Sequence, residues 1–154
     1  RYAWNDDQRT TPHELGLGWM LRDLESDDRS FIGRHAIERE LKEGTSRWKT
    51  VGITVDWEDW NRVYNERSLV PPKDHTPEHG GMMIYDERLE RIGYTPSFVY
   101  SPMAQRHVGI ARVRPEHAAV GTEVALEVTI DHRYEVVKAN VSRLPFFNPP
   151  RKTA

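Results

Sequence analysis

Cysteine is absent from the 154 residues. That excludes disulfides, thiolate metal sites and cysteine nucleophiles together, and it suits a reducing compartment, so a cytoplasmic location is expected. Also missing is any apolar run approaching the ~20 residues of a membrane-spanning helix. Excess positive charge is lacking too: 22 Lys and Arg stand against 24 Asp and Glu. A nucleic-acid binder concentrates phosphate-neutralising cations on one face, and no such concentration is visible, so neither membrane nor nucleic acid is expected as a partner. The opening Arg1-Tyr2-Ala3-Trp4 has no initiator Met and no apolar signal core. It reads as the interior of a longer chain.

What the chain does have is bulk for one core. Five Trp, six Tyr and four Phe accompany 37% hydrophobic residues, and the length fits one domain, or one domain with part of its neighbour. Residues 1–29 are polar apart from the island Leu15-Gly16-Leu17-Gly18-Trp19-Met20-Leu21, which suits a buried strand or a tight turn. From Ser30 the pattern is helical. Ser30 or Asp28 can cap the start, Ile37 and Leu41 share a face, Glu38 and Lys42 can pair, and Gly44 sits where a helix ends. The period then changes to two. Val51, Ile53 and Val55 alternate with smaller residues, and strand character returns at 82–85, 91–100 and 107–114. Val124, Leu126, Val128 and Ile130 give the clearest alternation. Asp131-His132-Arg133 turns the chain into a partner strand over 134–144, making a hairpin with one wet face. Residues 56–81 read as a long surface excursion. Five or six short antiparallel strands predict a mainly β fold, a small closed barrel or sandwich, preceded by a helix-bearing piece of another domain that ends near Ser46.

Few constellations carry chemistry. His75-Thr76-Pro77-Glu78-His79 has the H-x-x-E-H spacing of a zinc protease class. Pro77 and the following Gly80-Gly81 break the helix that such a site needs, so a polar loop leading into a strand is expected and no metal site. Gly16 and Gly18 lack the third glycine of a dinucleotide site. They suit either packing against Trp19 or an unobstructed Trp19 face for a planar ligand. Asp56-Trp57-Glu58-Asp59-Trp60 could grip a cation or partner, or form a loop anchored by its two Trp residues. Glu87 with Glu90, and Asp27 with Asp28, read as solvated turns, and His107 and His132 as hydrogen-bonded bystanders.

Several segments occur in the order of a known family. They are Glu14-Leu15-Gly16-Leu17-Gly18-Trp19, Phe31-Ile32-Gly33-Arg34, Val51-Gly52-Ile53, Ile92-Gly93, Ser101-Pro102, His107-Val108-Gly109-Ile110-Ala111, Gly121-Thr122-Glu123-Val124 and Pro145-Phe146-Phe147. Together they resemble the C-terminal portion of the glycine-cleavage T-protein (aminomethyltransferase) family across nearly the whole chain. The resemblance implies that residues 47–149 form the family's C-terminal β-barrel, that 1–46 are the tail of the preceding α+β folate-binding region, and that 150–154 are a tail.

It further implies tetrahydrofolate as cofactor and a one-carbon transfer onto it from a small methylated substrate: an amine, or an aryl methyl ether or sulfonium compound. The family's principal acid for that step lies upstream, so no catalytic residue is expected in this chain. Trp19 matches the family Trp that lies against the folate, and Glu14 a nearby acid. Arg22, Arg34 and Arg151 fall where an arginine could hold the folate glutamate tail through a bidentate carboxylate contact. The expected partner is the N-terminal region of the same protein or a separate subunit, and a fragment of this kind would be inactive alone. Thr95-Pro96-Ser97-Phe98 and the aromatic 56–81 stretch depart from the family pattern, which leaves the donor open. A non-catalytic barrel serving assembly is the alternative reading.

Overall fold

The structure is a computed structural model, describing residues 9–21, 24, 30–77, 80–149 and 151. Six strands close into an antiparallel barrel: β1 (Lys49–Val55), β2 (Met82–Tyr85), β3 (Arg91–Ser101), β4 (Arg106–Val113), β5 (Glu123–Ile130) and β6 (Arg133–Ser142). Around the barrel they run β1-β4-β3-β2-β5-β6, and β6 returns to β1 through pairs such as Ile53 with Val141. The core follows from the period-two pattern. Val51, Ile53 and Val55 face inward with Val124, Leu126, Val128 and Ile130, and with Val137, Ala139 and Val141. Closure leaves no unpaired edge among these strands.

The β5–β6 hairpin turns on two residues, Asp131 and His132, both in the left-handed region at φ 50° and 60°. That conformation at both positions defines a type I′ turn, whose twist matches the strands. In β3 the register shifts between Tyr94 and Ser97. Pro96, which has no N–H to give to a ladder, falls in that irregularity. Gly93 is required on packing grounds, because a Cβ there would lie 2.2 Å from the Arg112 carbonyl oxygen.

Two expectations need correction. The helix ahead of the barrel, α1 (Arg34–Glu43), ends at Gly44 as expected but starts at Gly33 with φ 95° and no side-chain cap. Ser30 does not cap it, and Asp28 lies outside the described residues. Glu38 pairs with Arg34 at 2.6 Å. The 56–81 excursion, in turn, begins with a helix, α2 (Trp57–Asn65). Asp56 caps it by accepting the Asp59 N–H at 2.9 Å, and Asp59 accepts the Lys138 N–H at 2.8 Å. Trp57, Trp60, Val63 and Tyr64 repeat at helical spacing, and Trp60 and Val63 enter the barrel core. The acidic residues that suggested a solvated loop are the cap and first turn, where negative charge meets the helix dipole.

Candidate functional site

The segment before the barrel is fastened to β1 by Glu14. Its carboxylate accepts from Thr10 Oγ1 (3.0 Å), Thr11 N (3.1 Å), Arg47 N (2.7 Å) and Trp48 N (3.2 Å). Its main-chain carbonyl takes two more donors, Thr50 N and Thr50 Oγ1. Thr11 Oγ1 also donates to Glu40, which accepts Ser46 Oγ as well, so the turn at 11–16 is tied to both α1 and β1. Glu14 is 3% exposed. Burial works to raise its pKa, but the four hydrogen bonds outweigh that and hold the carboxyl below its ordinary value. Glu14 is thereby committed to protein donors, and it fixes the turn that leads to Trp19.

After Gly16, at φ 74°, the chain makes a short 3-10 turn over Gly18–Leu21. The Trp19 indole ends up 64% exposed, so it is not core packing: the turn lies outside the barrel wall. It borders a groove of about 540 Å³ shared with His13, Gly16, Gly18, Trp48, Lys49 and Thr50. Trp48, Gly44, Ser46 and Pro115 also border an adjoining cavity of about 640 Å³, whose other walls are Arg47, Arg91, Arg114 and Glu116. A flat aromatic wall thus continues into an arginine-rich recess.

Thr50, which borders the groove, lies in cross-strand register with Arg112 on β4 and, through it, Tyr94 on β3, neither of which lines either cavity. The Trp48 ring meets Tyr94 edge-on at 5.9 Å. Arg112 is 7% exposed and donates to the Tyr94 hydroxyl at 2.8 Å, while its Nε and Nη2 and the Trp48 Nε1 have no partner. Buried N–H groups are rarely left unpaired, and these three are exceptions to that rule.

Arg34 is turned away from this recess: it holds Glu38 and the Leu24 carbonyl. Arg151 is exposed and lines neither cavity, and Arg22 lies outside the described residues. Arg91, Arg112 and Arg114 escaped the sequence reading. Their only signal was position at or beside the adjoining ends of β3 and β4, strands that the alternation had already located.

His107 also differs from expectation. It is buried among aromatic rings, with Nδ1 unpartnered. His75 Nδ1 lies 3.5 Å from the Tyr100 carbonyl in an extended segment, while Glu78 and His79 of the zinc-like motif lie outside the described residues. Among the described residues, no helix is long and apolar enough to cross a membrane.

The described residues form a six-stranded closed barrel module whose leading segment is clamped to β1 and carries an exposed Trp. The chain belongs to the glycine cleavage T-protein C-terminal barrel domain family, whose model matches residues 67–148. It is 34% identical over 145 residues to an aminomethyltransferase of Bacteroides thetaiotaomicron, a match covering 94% of this chain and 34% of that protein. An aminomethyltransferase of Synechococcus sp. (strain WH7803) is 32% identical over 149 residues, with 97% and 34% covered. The chain therefore spans about a third of the length of these curated relatives. The crystal structure of the glycine cleavage system aminomethyltransferase T from Bartonella henselae superposes with a TM-score of 0.67 at 23% identity, over 90% of this chain and 32% of that one. This likeness establishes the shared barrel fold.

Proposed function

We propose that this chain forms one wall of a tetrahydrofolate cavity in a folate-dependent aminomethyltransferase. The observation that carries the reading is the continuity between the exposed Trp19 face and the recess of Arg47, Arg91 and Arg114. A pterin is flat and stacks on an indole, and a glutamate tail carries carboxylates that guanidinium groups hold bidentately. Trp19 would hold the ring, with Lys49 beside it in the groove and Arg91 and Arg114 facing the tail. Bound tetrahydrofolate supplies the amine nitrogen that takes up the one-carbon unit. This chain's residues stack the ring, orient it through the Glu14 clamp, and exclude water from one side. The acid or base for the transfer is expected upstream, and the relatives' name, aminomethyltransferase, favours an amine donor over an aryl methyl ether or sulfonium compound.

The domain boundary near residue 46, with a barrel over 47–149, belongs to the same proposal. So does the partner. Ile32 at 105% exposure, with Leu15, Met20 and Trp19 on the same leading segment, leaves apolar surface for an N-terminal region or separate subunit to cover. That surface also supports the second reading, a barrel used only for assembly.

A direct test compares tetrahydrofolate carrying several glutamates with a pterin lacking the tail, using this chain joined to the N-terminal region. Loss of the tail, or Arg114→Gln with the tail present, is expected to weaken binding about tenfold, as removal of one charge-assisted bond does. Equal affinity for both ligands would remove the arginine recess from the account, and no binding of either would leave the assembly reading.

A further inference from the structure

A second ring-lined cavity shares no residue with the Trp19 groove. At its back, the His107 imidazole stacks on Phe98 at 5.4 Å, lies 4.2 Å from Trp60, and meets Tyr100 edge-on at 5.2 Å. His107 is 4% exposed, and neither its Nδ1 nor the Trp60 Nε1 has a hydrogen-bond partner. A plug that served packing alone would gain from carbon at both places, because each unpaired buried nitrogen is costly.

In front of these rings the cavity opens to about 640 Å³. Asp74 and Glu127 are among its lining residues, and no Lys or Arg lines it among the described residues. The Thr76 N–H holds the Asp74 carboxyl below its usual range, and Glu127 accepts the Tyr85 hydroxyl at 2.8 Å. Burial drives the His107 pKa down to about 4, so the imidazole adds no positive charge near neutrality. The chain itself shows what these rings attract. Lys73 Nζ stands 5.3 Å from the Trp57 ring centroid and 5.9 Å from that of Tyr100, which also lines the cavity.

We propose that this cavity is a ligand site for a small organic ammonium bearing a hydroxyl. Aromatic faces with acidic residues beside them attract a weakly hydrated ammonium, as Tyr100 already attracts Lys73 from outside the lining. The hydroxyl oxygen accepts from Trp60 Nε1 or donates to His107 Nδ1. Neither the barrel fold nor the folate reading requires such a site.

Choline is a suitable probe, and 3,3-dimethylbutan-1-ol is its neutral counterpart of nearly the same shape. Each is titrated against the full chain while the Trp60 indole N–H and the His107 ring signals are followed by NMR. Saturable choline shifts at Trp60 and His107 are expected, with the neutral alcohol at least tenfold weaker. Asp74→Asn combined with Glu127→Gln is expected to weaken choline by a similar factor. Equal affinity for the neutral alcohol in the unaltered chain overturns the proposal, as do shifts that never saturate or that centre on the Trp19 indole. Because the decisive comparison uses the unaltered chain, it stands even if the double variant fails to fold. Failure here leaves the folate reading untouched, since the two cavities have no wall in common.

Discussion

Replacing Glu14 with Gln removes the charge from a carboxylate that serves four donors. Oε1 accepts Arg47 N and Trp48 N, and Oε2 accepts Thr10 Oγ1 and Thr11 N. The amide oxygen of Gln can serve one of those pairs, while its NH₂ group confronts the other pair donor to donor. Hydrogen bonds to a charged group contribute about 1.5–3 kcal/mol each. Losing two, with some relaxation of the exposed Thr10 end, gives an expected loss of about 3 kcal/mol. Urea unfolding followed by far-UV circular dichroism measures it. With a slope of about 2 kcal/mol/M, the midpoint falls by about 1.5 M at unchanged slope.

The pH dependence has the same origin. The folded carboxyl titrates below its ordinary 4.5. Its contribution is therefore complete above that value and is lost as pH falls through the lower folded one, because the unfolded chain takes up the proton first. Glu14→Gln should flatten this acid limb. A variant within about 0.5 kcal/mol of the unaltered chain, well short of the two-bond estimate, would refute the clamp.

Other consequences are as definite. His107 titrates at about 4 against an ordinary 6.5, so stability is full above 6.5 and falls by about 3 kcal/mol as pH drops from 6.5 towards 4; His107→Leu should remove that slope in pH-dependent unfolding. Gly93→Ala drives a methyl group into the β4 backbone at the Arg112 carbonyl and should cost at least about 2 kcal/mol in thermal or urea unfolding. Asp56→Ala removes the cap of α2 and should cost about 1 kcal/mol, read in the same way. Trp19→Phe, on an exposed turn, should change stability by less than about 0.5 kcal/mol.

The barrel was legible because strand alternation reports burial on one face directly. Val124 to Ile130 and Val51 to Val55 could be placed inward from sequence, and the Asp131-His132 turn followed. The helix over 57–65 was hidden by its own chemistry. Its cap and first turn are acidic, its buried positions are Trp60 and Val63 with Trp57 and Tyr64 half-buried, and a run of nine residues is too short for the period to stand out from an aromatic loop. The site was only half legible. Trp19 could be singled out by resemblance, but its exposure follows from the Glu14 clamp, whose partners at Arg47, Trp48 and Thr50 are more than thirty residues away. Arg91 and Arg114 come together because β3 and β4 pair as neighbouring antiparallel strands, with Gly93 opposite Val113, a register that alternation alone does not fix. His107 was misjudged for a related reason: its environment is assembled from α2, β3 and β4.

The most direct test of the central claim is Trp19 fluorescence in the chain joined to its N-terminal region, titrated with tetrahydrofolate. The account predicts saturable quenching that is largely absent in Trp19→Phe, with folding intact. Quenching of the same amplitude in Trp19→Phe, or none in the joined protein, would contradict it.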